Sequence, residues 1–269
     1  MTRRVLLYAG LVVAVAIIVL PVVWMVLASI KPEADITGNP AQLLPEHVTG
    51  SNYREVTRQI PFARQFMNSV VFAGGVTLCS LVFNSMMAFA LARLDFPGKR
   101  ALFVAVILFL MIPYQVTLIP IYQIVAKLGL MNTYPGLIVP RATNAFGIFF
   151  LRQFFLGIPR SLDEAARIDG AGDWRIYARI ILPLSKPALL TIALFDFMFN
   201  WNDLLWPLIF TTSTKMETLP AGLALFMGQH ISQYGVVMAG ATLTSLPIVI
   251  AFLFVQRKFI QGIATTGLK

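Results

Sequence analysis

Six runs of about twenty mostly apolar residues, roughly 5–30, 67–92, 101–120, 136–156, 187–210 and 236–255, constrain this chain more than anything else in it. A hydrocarbon layer is about 30 Å thick, and about 20 residues of helix cross it. Inside that layer every backbone N–H and C=O must be paired within the chain, so each run reads as a helix. The predicted fold is an all-α membrane protein, one transmembrane domain over residues 1–269 with six spans. Composition agrees, at 58% apolar and 12% charged residues. The first run opens like a secretory signal, Thr2-Arg3-Arg4 before an apolar stretch, but it continues to residue 30 without a small-x-small cleavage site and reads as a retained span. Pro113, Pro120 and Pro140 are expected to interrupt the third and fourth spans.

An even number of spans puts both termini on one side of the membrane. Fourteen Lys and Arg residues fall on that side against six on the other. Five acids lie inside, five outside, and Asp196 and Asp203 lie within a span, so the inner face holds the whole formal charge of +9. The positive-inside rule therefore places both ends in the cytoplasm. This asymmetry accounts for a pI near 10 without nucleic acid or an anionic substrate.

Energy-supplying chemistry is missing from the motifs. Gly98-Lys99 is followed by Arg100 rather than Ser or Thr, and Arg93 stands where the first glycine of a P-loop belongs. His47 and His230 fall in predicted external loops with no metal-ligand spacing around them, and no G-x-S-x-G setting occurs. The single Cys79 reads as a small apolar filler within a span. No catalytic residue, metal site or cofactor is expected on this chain.

The densest polar stretch, DEAARIDGAGDW (163–174), lies in the longest inner loop, 152–186. Ser161 and Glu164 have capping-box spacing, which starts a helix by pairing each side chain with the other's free N–H. Asp163 and Glu164 suit its positive end, Ala165, Ala166 and Arg167 favour its continuation, and Gly170 supplies a left-handed stop. Asp173 is expected to cap a second short helix running to Pro183. A helix of about two turns is marginal alone in water, so something must hold it. Leu162, Ala165, Ala166 and Asp169 share a slim face suited to a partner's groove. A solvated loop helix with no partner is the competing reading.

In the fifth span, Asp196, Asn200 and Asp203 follow i, i+4, i+7 spacing and share one helix face. Acids in hydrocarbon are costly, so that face looks into the bundle or a wet path. Two readings stay open: a lining whose carboxylates and amides exchange hydrogen bonds with a passing solute, with Trp201 and Trp206 stacking on it if they point inward, or interhelical glue that never meets solute. Asn144 and Arg141 in the fourth span are similar candidates, with outward snorkelling as the alternative for Arg141.

The segment EAARIDGAG, followed at a distance by ILP, resembles the signature of permease subunits of binding-protein-dependent ABC importers, matched at Glu164, Ala165, Ala166, Asp169, Gly170 and Pro183. MIPYQVTLIPIY (111–122), LRQFFLGIPRSLDEAARIDGA (151–171), NWNDLLWPL (200–208) and QRKFIQGIATTGLK (256–269) narrow the likeness to maltose-type carbohydrate permeases. The resemblance implies a type I importer permease fold and a coupling loop, 157–183, in a bacterial or archaeal cytoplasmic membrane. Its helix, carrying Ser161, Asp163, Glu164, Ala165, Ala166, Arg167, Asp169 and Gly170, would dock into a separate ATPase. It further implies a C-terminal tail, matched at Gln256, Arg257, Gly262, Gly267 and Lys269, reaching two ATPase subunits that bind ATP and Mg. A second, homologous permease and an extracytoplasmic solute-binding protein received by loops 31–65 and 211–235 complete the implied assembly. The relatives usually end in one further glycine, absent here. Against this stand a self-sufficient transporter or channel using Asp196 or Asp203 for proton coupling, and an intramembrane enzyme or scaffold.

Overall fold

The computed structural model describes residues 2–40, 42–229 and 233–266, all of whose regular structure is helical. In chain order the helices are α1 (Thr2–Ser29), α2 (Glu33–Gly38), α3 (Ser51–Gln59), α4 (Phe62–Arg93), α5 (Lys99–Leu110), α6 (Tyr114–Lys127), α7 (Tyr134–Ile138) and α8 (Ala145–Leu156). They continue as α9 (Ser161–Ile168), α10 (Asp173–Ile176), α11 (Leu182–Leu184), α12 (Lys186–Trp201), α13 (Leu205–Phe210), α14 (Leu219–Gln229) and α15 (Tyr234–Thr266). Among the described residues three helical stretches are long and apolar enough to cross a membrane alone, Arg4–Ser29, Phe62–Arg93 and Tyr234–Leu253. Counting each of two bent helix pairs as a single span raises the number to at most five.

The bends have local causes. The predicted third span is two helices, α5 and α6, meeting at 102°. Pro113 precedes Tyr114 in extended backbone and has no N–H to continue the ladder, while Met111 and Ile112 close α5 with bonds to Leu108 and Phe109. Pro120, by contrast, lies within an unbroken α6. In the predicted fourth span, Pro140 falls in a 3₁₀ turn after α7, and α8 restarts at Asn144, whose side chain accepts the Gly147 N–H. The twelve residues of α8 rise only about 18 Å. The fifth predicted span also breaks, after Trp201, so that α12 and α13 are separate.

The chain divides into two compact units. The first comprises 1–66 and 219–247. Its core joins Val56 and Ile60 to Leu219, Leu223 and Phe226 of α14 and Val236 and Ala239 of α15. Glu33 caps α15, its two carboxylate oxygens accepting the N–H groups of Tyr234 (3.0 Å) and Gly235 (2.8 Å). The Asn52 amide donates to the carbonyls of Ser29 and Lys31, at 2.9 and 2.8 Å. The stretches 31–65 and 211–235, expected to be loops, thus contribute the packed helices α3 and α14. His47, solvent-exposed, meets Asp35 at 3.3 Å; His230 lies outside the described residues.

The second unit comprises 67–218 and 248–269. Its largest core joins Ala88, Phe89 and Ala92 of α4 with Leu151 and Phe155 of α8, Ile176, Tyr177 and Ile181 of the segment between α9 and α12, and Ala188 and Ile192 of α12. The second predicted loop helix is not one regular helix: α10 passes through a π turn over Tyr177–Ile181 into α11, and α11 meets α12 at a 77° bend. Pro183, lacking an N–H, leaves the ladder short of a donor where the geometry widens. α15 runs without interruption to Thr266, so the tail expected to begin at 256 starts as helix; no proline follows Pro247.

Candidate functional site

Two polar constructions in the second unit carry the candidate chemistry. The first is a cavity of about 1030 Å³ bounded by α4, α6, the turn before α8, and α12 with its break. All five residues predicted for a solute path, Arg141, Asn144, Asp196, Asn200 and Asp203, line it.

Asp196, on α12, is held from two directions. Ser80 of α4 donates its hydroxyl to Oδ2, and the Asn144 amide donates to Oδ1 at 3.2 Å. Asn144 also donates to Ser80 Oγ (3.1 Å) while its own Oδ1 caps α8. Asn84, one turn beyond Ser80, donates to Ser80 Oγ at 2.7 Å and accepts from Thr143 Oγ1 (2.7 Å) and the Asn144 N–H (3.1 Å). A Cβ added at Gly147 would collide with the Asn84 amide, so α8 can approach α4 here only as glycine. In lipid, where apolar surfaces gain little by meeting each other, such bonds and small residues set how helices pack, each worth about 0.6 kcal/mol on average. Asn200, 4% exposed, donates to the Asp196 carbonyl at 2.7 Å, and its Oδ1 is buried with no partner.

Asp203 does not extend the α12 face. It sits in the break, where Oδ1 accepts the Trp206 N–H at 3.1 Å and starts α13, and Oδ2 pairs with Arg141. Arg141 does not snorkel: its side chain is 12% exposed and its guanidinium lies 5.0–6.0 Å from the rings of Trp206, Phe199, Tyr114 and Phe72. Neither tryptophan offers a free face to a sugar. Trp201 is 1% exposed and stacks on Phe197, and Trp206 is 2% exposed between Phe210, at 4.1 Å, and Arg141. The exposed rings on the wall are Phe146, Phe195 and Phe199. Ser80, Asn84 and Thr143 escaped the sequence reading. The cost of polar groups in hydrocarbon, applied to the second run as it was to the fifth, would have found Ser80 and Asn84 at i, i+4.

The second construction is the loop between α8 and α12. α9 begins without the expected capping box: Arg160 already has helical backbone, and its carbonyl accepts the N–H groups of Asp163 and Glu164. Pro159 pre-sets the first turn, so Ser161 falls inside the helix instead of before it. The stop is as expected. Gly170 has φ +77°, Ala171 N–H returns to Ala166 C=O at 2.8 Å and Gly170 N–H to Arg167 C=O at 3.0 Å, a full Schellman closure. Asp173 caps nothing with its side chain; it accepts from Arg167 at 2.7 Å across the glycine corner.

The chain itself holds this short helix. Asp163 is buried and lies 3.4 Å from Arg93 at the end of α4; Arg93 also donates to the carbonyls of Phe155 and Ile158, both at 2.7 Å. Tyr177 bonds Ser85 of α4 at 2.7 Å, and Ala166 packs on the core. Leu162, Ala165 and Asp169 of the predicted slim face stay exposed, with Ser161, Glu164, Arg167 and Gly170, while Ile168 is 87% exposed. Of the predicted tail contacts, Gln256, Arg257 and Gly262 lie in α15, where only the backbone is described; Gly267 and Lys269 lie outside the described residues.

Several helices long and apolar enough to cross a membrane define a class, a multi-pass membrane protein. Residues 80–265 match the family described as the binding-protein-dependent transport system inner membrane component. The chain is 38% identical over 267 residues to the arabinooligosaccharides transport system permease protein AraQ of Halalkalibacterium halodurans, covering 98% of this chain and 96% of the relative. It is 37% identical over 254 residues to the trehalose transport system permease protein SugB of Mycobacterium tuberculosis, covering 93% and 92%. It is 34% identical over 272 residues to the sn-glycerol-3-phosphate transport system permease protein UgpE of Agrobacterium fabrum, covering 98% and 96%. Its fold matches a chain of a bacterial ABC transporter involved in the import of the acidic polysaccharide alginate, with a TM-score of 0.85 and 26% identity over 96% of both chains. The chain belongs to the family of inner membrane components of binding-protein-dependent transport systems, the permease subunits of ABC importers.

Proposed function

We propose that this chain is one of two permease subunits of an ATP-driven carbohydrate importer in a bacterial or archaeal cytoplasmic membrane, crossing it six times with both termini inside. A second, homologous permease completes the path. Two ABC ATPase subunits bind ATP and Mg and supply the energy, and an extracytoplasmic solute-binding protein delivers the solute. The chain's own part is conformational and carries no catalytic step. Arg141, Asn144, Asp196, Asn200 and Asp203 line the path, and the tail from Gln256 onward extends towards the ATPases.

The observation that carries this reading is α9: a two-turn helix that keeps Leu162, Glu164, Ala165 and Ile168 outward and is tied through Asp163 to Arg93 of α4. Apolar side chains presented on a short anchored helix suit a partner's groove. A push on α9 then reaches α4 and, along α4, the Ser80–Asp196 contact at the cavity. The charge asymmetry of the sequence supports placing this loop on the ATP side. Two of the relatives named above carry arabinooligosaccharides and trehalose, which supports a carbohydrate.

The test is Glu164→Lys in the importer reconstituted with its partners. Membrane insertion and pairing with the second permease should be retained, while co-purification of the ATPase and solute uptake are lost. Uptake at the parent rate would overturn the coupling role.

A further inference from the structure

Relatives of this chain are named for uncharged and for anionic solutes alike, so similarity does not choose between them. The cavity wall does. We propose, resting on the importer reading above, that the cavity beside Asp196 takes an uncharged polyhydroxylated solute and turns anionic ones away.

Three charged residues line the cavity among the described residues, Arg141, Asp196 and Asp203. Arg141 is spent: it pairs with Asp203, lies among four aromatic rings, and exposes only 12% of its side chain. The wall therefore presents no available cation to a phosphate or a uronate. Asp196 is bonded to neutral groups, Ser80 and Asn144. Ionised, it repels an anion; protonated, it offers an anion no charge. Asn200, one turn further on, is 4% exposed and its amide donates to the Asp196 carbonyl, so it too supplies no charge to an anion. Hydroxyls donate and accept, whereas carboxylate and phosphate oxygens only accept. The exposed rings of Phe146 and Phe199 add apolar surface suited to the C–H face of a sugar ring. A volume of about 1030 Å³ is at the large end for small-molecule sites, enough for a short oligosaccharide.

The charge preference is measurable without knowing the solute. Cys79 is the only cysteine, so Cys79→Ser with Asn202→Cys places one thiol at an exposed position on this wall. In the assembled importer, a methanethiosulfonate carrying a sulfonate should modify that thiol at least about tenfold more slowly than one carrying a trimethylammonium group, each rate divided by its rate with free cysteine. Asp196→Asn should narrow the ratio. Equal normalised rates in the Asn202→Cys protein would overturn the proposal, whatever Asp196→Asn does. Uptake of an uncharged trisaccharide series is then compared with uronate oligosaccharides of equal length. Import of the uronates at comparable rates overturns the charge preference and leaves the carbohydrate reading standing. Import of neither, with the thiol ratio as expected, overturns the carbohydrate reading and leaves the preference of the cavity standing.

Discussion

The cavity wall and the loop carrying α9 are both polar insets in an oily chain, and they solve the problem of polarity in opposite ways. At the cavity, side chains from segments far apart in sequence satisfy one another: Ser80 with Asp196, Thr143 with Asn84, Arg141 with Asp203. In the loop the backbone closes on itself through Gly170, and one buried ion pair, Arg93 with Asp163, fastens the result to α4. The wall is held by partners that cannot be removed singly without stranding another. The loop is built to keep its charge outward on a fixed frame. Polarity in the first region is structural and shapes a space; in the second it is presented.

Breaking the wall should therefore cost most. Asp203→Ala leaves the Arg141 guanidinium buried among rings with no counter-ion, and loss of one member of a buried pair costs about 3–5 kcal/mol. The expected outcome is a large fall in the thermal midpoint of the detergent-solubilised chain, with most of it recovered in Arg141→Met/Asp203→Leu, where both charges go. A loss below about 1 kcal/mol would mean that the aromatic box alone holds Arg141. Next comes Arg93→Met, which strands Asp163 and frees two carbonyls. It should cost about 3 kcal/mol and also weaken ATPase co-purification, because α9 loses its anchor. If stability falls while coupling is untouched, the tie from loop to α4 is not part of transmission.

The same contrast explains what was legible in the sequence. The helix α9, its glycine stop and the sharp corner after it depend on residues within about ten positions, and local signals of that range survive in a bare sequence. The intramembrane acids were conspicuous by cost, and all five candidate path residues do meet in one cavity. Their partners were not legible. Ser80 lies 116 positions from Asp196, and no periodicity ties them. The break at Asn202 and Asp203 was missed because the apolar pattern resumes beyond it; Asp203 takes the Trp206 N–H, and Pro207 brings no N–H to the Asp203 carbonyl. Helix α14 was hidden for the opposite reason: Leu219–Gln229 is an apolar stretch shorter than a span, flanked by polar residues, and its helical state follows from packing on Val56 and Ile60.

Within the loop the effects shrink and sharpen. Gly170→Val puts a β-branched residue at φ +77°, where L residues pay about 1–2 kcal/mol. A Cβ there would meet nothing within 4 Å, so any effect comes from backbone conformation and not from a clash. Uptake should fall severely while the thermal midpoint moves only slightly, and Gly170→Asn, which tolerates the left-handed region better, should retain more activity than valine. Equal activity in both variants would show that the closure of α9 need not be rigid.

The smallest expected effect separates two accounts of how that helix begins. If Ser161 were a capping residue, its hydroxyl would satisfy an N–H of the first turn, and Ser161→Ala would cost about 1 kcal/mol. In the structure Arg160 has helical backbone, the turn is seeded by Pro159, and Ser161 is exposed with no capping bond. Ser161→Ala should then lie within about 0.5 kcal/mol of the parent, as surface changes usually do. Pro159→Ala removes the residue that pre-sets the turn and should loosen α9 more than Ser161→Ala does. Hydrogen exchange at the Asp163 and Glu164 amides reads the difference directly: both donate to the Arg160 carbonyl. Faster exchange in Ser161→Ala but not in Pro159→Ala would restore the capping box.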